Sequence, residues 1–129
     1  MTSLDHPLDI EAAHIDHMGH VNNAVYLNWV QEAVLTHWEK LAPEAARASY
    51  LWVALKHEIT YRKAGFLEDN LVASVVLTRV RGVRAFYRTV IRRGEDVLAE
   101  VESVWCSLDA DTRRPFRLPR DVVRAFLPD

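Results

Sequence analysis

Cys106 is the only cysteine of the chain, which rules out an intrachain disulfide, a zinc ribbon and a redox CxxC pair alike. A reducing, cytoplasmic setting is the expectation. Long apolar runs are equally scarce. None approaches the roughly 18 residues that a membrane-spanning helix requires. The opening MTSLDHPLDIEA also lacks a basic stretch leading into an apolar one, so the chain is expected to be neither exported nor embedded in a membrane. Repeats, low-complexity tracts and linker-like segments are missing too. Nor is there an excess of one charge sign: 16 Lys and Arg stand against 18 Asp and Glu, for a net charge of −2. Acids this numerous argue against nucleic acid as a partner.

What remains is the composition of a folding chain. Hydrophobic residues make up 50% and charged residues 26%, the balance of a globular protein. A length of 129 residues suffices for one core and predicts one domain, 1–129. Apolar residues recur as Val25, Trp29, Ala33 and as Tyr26, Val30, Val34, Trp38, Leu41, with Leu27 and Leu35 widening the stripe. That spacing predicts a largely buried helix with Asn28, Gln31, Glu32, Glu39 and Lys40 as its polar side and Pro43 as its stop. From Leu51 the period becomes two, with Leu51, Val53, Leu55, His57, Ile59 and Tyr61 on one side of a strand. Three further β-rich runs, Leu71–Val80, Val83–Ile91 and Val97–Leu108, are separated by turn signals at Gly82 and at Gly94-Glu95-Asp96. Such short connections favour antiparallel hairpins. DADTRRPFRLP breaks the pattern, and RDVVRAFL has room for a last helical turn or two. With a short leading strand, the order predicts an α+β fold, one long helix lying on an antiparallel meander. One helix covers only part of one sheet face and leaves strand edges open, so self-association is expected.

The stretch HIDHMGHVNNAVYLNW, from His14 to Trp29, sets three histidines and an aspartate in seven positions ahead of that helix. Histidine with carboxylate suits zinc or iron. A strand end followed by a turn makes His14, Asp16, His17 and His20 diverge, however, and His6, His37 and His57 supply no second cluster at a ligand-like spacing. No metal site is expected. Two readings of the stretch stay open. In one, Asp16 and Asn22 or Asn23 serve the turn and cap the helix while Gly19 takes a backbone conformation closed to other residues; His20 and the run VNN are then unexplained. In the other, the carboxylate lies beside the free N–H groups of the helix start. An ester or thioester carbonyl there would have its developing oxyanion stabilised within reach of Asp16, acting as nucleophile or general base.

DHMGHVNNAVYLNW resembles the D-x-x-G-x-V-N-N-x-x-Y motif of the hotdog-fold thioesterases, the group containing 4-hydroxybenzoyl-CoA thioesterase. HEITYRKAG resembles that family's second strand, and AEVESVWCSLDADTRRPFRLPRDV its last strand, turn and closing LP segment, so the likeness spans almost the whole chain. HVNN also recurs in plant acyl-carrier-protein thioesterases. The resemblance implies a curved antiparallel sheet wrapped around one long central helix. It also implies hydrolysis of an acyl-CoA to free acid and coenzyme A with no metal or organic cofactor, and sites at a dimer interface in dimers or tetramers. Asp16 falls on the family's catalytic aspartate, Gly19 on its turn glycine, and Asn23 on the position whose backbone N–H polarises the thioester carbonyl. Asn22 and Tyr26 match positions that shape the turn and the acyl pocket, and His20 is a candidate to orient Asp16. The alternatives are an acyl-carrier-protein thioesterase and a non-catalytic binder of acyl-CoA or another small ligand. Three departures stand out. Met18 replaces an asparagine used by the plant enzymes, Asn23 stands where some bacterial relatives have histidine, and Glu68 precedes Asp69 where many have glycine.

Arg79, Arg81, Arg84, Arg88, Arg92 and Arg93 lie on adjoining β runs and suit the phosphates of coenzyme A, with Arg84 a substrate-binding candidate and Lys63 beside Arg62 a weaker one. Solvated strand faces explain such charges equally well. His57 shares parity with apolar residues and reads first as a core histidine, second as a pocket residue. Glu58 and Glu32 are candidate second carboxylates, Glu32 sitting on the helix's polar side. Cys106 reads as a buried, inert thiol.

Overall fold

In a computed structural model the described residues are 2–127. Strand β1 (Thr2–Leu8) leads through a short 3₁₀ turn (Ala12–His14) to helix α1 (Asn23–Leu41). Helix α2 (Glu44–Ser49), strands β2 (Tyr50–Tyr61), β3 (Leu71–Arg81), β4 (Arg84–Arg93) and β5 (Asp96–Asp109), and helix α3 (Arg120–Phe126) follow. The five strands form one sheet in the order β1-β3-β4-β5-β2, every neighbouring pair antiparallel. It is the α+β arrangement expected, a curved sheet around one long helix.

Only β3, β4 and β5 make the simple meander. β2 pairs with β5 at the far edge instead of with its successor β3, and residues 62–70 carry the chain back across. This crossing segment is what brings a second wall to the start of α1. A further departure lies inside β2. The register shifts between Ala54 and Lys56, a bulge that exchanges the two faces of the strand. Trp52 and Ala54 pack on the core before it and Ile59 after it, while Val53 and Leu55 are exposed. The single apolar parity from Leu51 to Tyr61 is therefore split in two.

The buried side of α1 is Tyr26, Trp29, Val30, Ala33, Val34, His37 and Trp38, a stripe at helical spacing that faces Ala73, Val75 and Leu77 of β3 and Tyr87 and Ile91 of β4. It is narrower than the sequence suggests, for Leu35 and Leu41 are exposed. Pro43 both ends α1 and opens α2, a short helix the sequence pattern does not reveal. At the other end of the core Phe126 of α3 is sealed among His37, Trp38, Trp52 and Tyr87, a burial that contributes about 1.5–3 kcal/mol. His37 has no exposed surface. Its Nδ1 is 3.1 Å from the Tyr87 hydroxyl and its Nε2 2.9 Å from the Thr2 hydroxyl, so one imidazole ties β1, α1 and β4 together.

Candidate active site

Asp16 stands at the start of a tight loop closed by the Ile15–Val21 bridge. Its own N–H donates to the His20 carbonyl at 2.8 Å, and the Gly19 N–H donates back to the Asp16 carbonyl at 3.0 Å. Gly19 turns the chain with φ +79°, the left-handed region that a residue with a Cβ enters only at a cost. The Asp16 carboxylate is anchored by one oxygen. Oδ1 accepts the Met18 N–H at 2.9 Å and the His20 N–H at 3.3 Å, whereas Oδ2 has no hydrogen-bond partner among the described residues. The side chain is half-buried, held in place yet open to an incoming group.

The helix start is committed in a similarly selective way. Asn22 is the N-cap of α1, its Oδ1 accepting the Ala24 N–H at 3.0 Å and its carbonyl the Val25 N–H at 2.9 Å. Asn22 N–H itself donates to the His14 carbonyl at 2.8 Å. The Asn23 N–H is left, and it has no acceptor among the described residues. An unmatched donor at a helix N-terminus is a place for developing negative charge. Asp16, Met18, Asn22, Asn23, Tyr26 and Tyr61 all line one cleft of about 430 Å³. The crossing segment forms its opposite wall, where Gly65 accepts the Val21 N–H at 2.8 Å.

Of the residues singled out in the sequence, Asp16, Gly19, His20, Asn22, Asn23 and Tyr26 come together in this loop and cleft. Tyr26 is almost fully buried, and burial raises the pKa of its phenol above the usual value. His20 meets Asp16 through its backbone; its ring packs edge-on against Phe66 at 5.3 Å. His57 lies elsewhere, on the inner face of β2, with Nδ1 2.7 Å from the Ser103 hydroxyl and its ring against Trp105. Burial lowers its pKa. Arg84 is also remote. It pairs in register with Cys106 of β5, whereas Tyr61 at the cleft pairs with Ala99, seven positions along the same strand and so about 23 Å away. Most of the other arginines are engaged in ion pairs: Arg88 with Glu100, Arg92 with Asp5, Arg93 with Asp69 and Asp96. The cations that do reach the cleft are Arg62 and Lys63, bonded to Glu100 and Asp96.

The candidate metal ligands diverge. His14 accepts the Glu11 N–H at Nδ1 and turns its ring to Trp29, and His17 is exposed. At the Glu68 departure the turn closes without a glycine: Asp69 N–H donates to the Phe66 carbonyl at 3.0 Å, and Asp69 Oδ2 accepts the Phe66 N–H at 2.9 Å. Glu68 is not among the residues of positive φ. Sequence reasoning missed Tyr61, whose hydroxyl donates to the Asn23 carbonyl at 2.9 Å. Its only signal was a hydroxylated aromatic at the very end of a strand.

The profile of the thioesterase-like superfamily matches residues 10–126. No curated protein sequence matches. Solved structures match along nearly the full length. A probable thioesterase from Bartonella henselae superposes with a TM-score of 0.78 at 21% identity, over 91% of this chain and 98% of its own. A 1,4-dihydroxy-2-naphthoyl-CoA thioesterase from Synechocystis gives 0.79 at 16% identity, over 97% and 96%. A thioesterase from Thermus thermophilus complexed with coenzyme A and Zn gives 0.82 at 20%, over 95% and 96%. At these identities the structures establish the shared fold.

Proposed function

Because the chain belongs to the thioesterase-like superfamily, a hotdog-fold group of thioester hydrolases, we propose that it hydrolyses an acyl-CoA to the free acid and coenzyme A in the Asp16 cleft. One observation carries this reading. Asp16, whose Oδ2 has no partner among the described residues, and Asn23, whose N–H has none, are both lining residues of the same cleft. A thioester carbonyl oxygen accepting from Asn23 N–H turns its carbon toward the carboxylate. Asp16 Oδ2 then acts in one of two ways. As nucleophile it bonds to the carbonyl carbon, the C–S bond breaks, coenzyme A leaves as its thiolate, and water cleaves the resulting anhydride. As general base it takes the proton of a water whose oxygen attacks the same carbon; the tetrahedral intermediate then collapses, the C–S bond breaks, and coenzyme A leaves as its thiolate, to be protonated by the proton that Asp16 took up. The negative charge collects on the carbonyl oxygen in either case. No step requires a metal or organic cofactor.

Arg62 and Lys63 at the cleft suit the phosphates of coenzyme A. They would equally attract an acidic acyl-carrier protein, which makes that carrier the second reading. We place the enzyme in the cytoplasm, where a lone thiol stays reduced, and as a homodimer or a tetramer of dimers. Among the described residues no helix is long and apolar enough to cross a membrane. The test is turnover of aromatic, short, medium and long acyl-CoAs, followed by released thiol, beside Asp16→Asn. Loss of a positioned base or nucleophile lowers kcat by about 10²–10⁴-fold. A variant that keeps its rate, or a wild type inert on every acyl-CoA, removes this reading. Acyl-carrier thioesters and acyl-CoA binding without turnover would then be examined.

A further inference from the structure

The uncommitted donor of Asn23 is useful only if the backbone that bears it is held at a fixed distance from Asp16. The loop is fixed as far as Asn22 by the Ile15–Val21 bridge, the buried Val21 side chain and the Asn22 N–H bond to the His14 carbonyl, whereas Asn23 and Ala24, where the helix starts, are exposed and need a restraint of their own. The restraint comes from across the cleft. Tyr61, the last residue of β2, donates its hydroxyl to the carbonyl of Asn23 at 2.9 Å. That carbonyl also takes the Leu27 N–H in the regular i to i−4 pattern. The Tyr61 ring stands edge-on to Tyr26 at 5.4 Å, and Tyr26 stands edge-on to Trp29 at 5.4 Å, so the phenol is fixed from the side by core residues of the helix it holds. Tyr61 is itself partly exposed and lines the cleft.

Resting on the hydrolytic reading above, we propose that Tyr61 is a positioning residue for the oxyanion site, latching the first turn of α1 to the end of β2 so that Asn23 N–H points at the thioester oxygen. Tyr61 touches the helix backbone and acts on the substrate only through it. Its hydroxyl donates to a carbonyl that belongs to the peptide after Asn23. It therefore sets the place and tilt of the turn and leaves the Asn23 donor free.

Tyr61→Phe keeps the ring and its contact with Tyr26 and removes only the donor. It is assayed beside Asp16→Asn with whichever acyl-CoA the wild type turns over, together with thermal unfolding and amide exchange by NMR at Ala24 and Leu27. The expected result is a fall in kcat of about tenfold, the size of one lost hydrogen bond, with KM within about twofold. Faster exchange at Ala24 and Leu27 and a melting midpoint within about 2 °C of wild type should accompany it. Fluorinated tyrosine at position 61, which retains the donor, restores the rate. Unchanged kcat in Tyr61→Phe overturns the proposal even where Asp16→Asn is dead. So does a loss of rate that comes with a lowered melting midpoint and is not restored by fluorotyrosine, for that is a general structural role. If wild type and Asp16→Asn are both inert on acyl-CoA, the hydrolytic reading is what fails. The exchange measurement then decides whether Tyr61 holds the turn: unchanged rates at Ala24 and Leu27 overturn the latch.

Discussion

Gly65 shows how closely the cleft is built at the level of single atoms. A Cβ added there would lie 3.0 Å from the Tyr26 hydroxyl, 3.3 Å from a methyl of Leu98 and 3.4 Å from a methyl of Val21. The Tyr26 ring is nearly fully buried and wedged between Trp29 and Tyr61, and the Gly65 carbonyl accepts the Val21 N–H at 2.8 Å, so neither side has room to give. Gly65→Ala should therefore destabilise by about 1–3 kcal/mol through overpacking, a loss read as a lower denaturant midpoint with unchanged slope. Activity at saturating substrate should fall as well, since the displaced segment carries one wall of the cleft; a variant with wild-type midpoint and rate would show that the wall is soft. Gly19 is a different case. Nothing stands within 4 Å of its missing Cβ, and its requirement is the backbone angle alone.

Among the elements, α1 combines the legible and the hidden parts of the structure. Its stripe from Tyr26 to Trp38 is written in the spacing of apolar residues, and the Asn22 cap follows from the preference of helix starts for a short polar side chain. Gly19 and Asp16 were readable because turns and caps are local chemistry. The strand partners were not. Nothing in the residues from Tyr50 to Tyr61 says that β2 joins β5 and skips β3, because edge choice is decided by the packing of the whole sheet. The bulge at Leu55 was equally silent, and with it the outward turn of Val53 and Leu55, which share the parity of His57. Charge alone makes Arg84 a ligand candidate, and only the register along β5 places it at the other end of the sheet. His37 sits on the apolar stripe as if it were a hydrophobe. Burial pulls its pKa from 6.5 to about 4, so between those values the unfolded chain binds a proton that the folded one refuses. Stability from this group is full above pH 6.5 and drains away as pH falls toward 4, by about 3 kcal/mol in total. The half-buried His57 acts in the same direction. Denaturation at pH 7.5 and pH 5 should show about 2 kcal/mol of this loss in the wild type, and His37→Gln should flatten most of the difference. An equal pH dependence in both proteins would place the loss on other groups.

At the scale of the whole molecule the two edges of the sheet are unlike. β1 borders the sheet on one side with seven residues, while β2 on the other runs for twelve and carries no partner on its outer side among the described residues. An open edge of that length offers a row of unpaired N–H and C=O groups to another chain. Beside it Val53 is 43% and Leu55 51% exposed, apolar surface that gains by being covered. A second copy of the chain is the simplest occupant, because two antiparallel β2 strands related by a two-fold axis satisfy each other's backbone groups in one continuous sheet. In the dimer proposed above, the same contact would stiffen the strand whose last residue, Tyr61, reaches Asn23, and would so couple assembly to turnover through β2. Light scattering should accordingly give a mass of at least twice 14.8 kDa. Near a two-fold axis every substitution acts twice, and Val53→Glu with Leu55→Glu sets like charges against their symmetry mates. The doubly substituted protein is expected to run as a folded monomer with kcat reduced about tenfold, the value of a loosened helix start. A wild type that is monomeric at micromolar concentration yet fully active would disconnect the edge from the site.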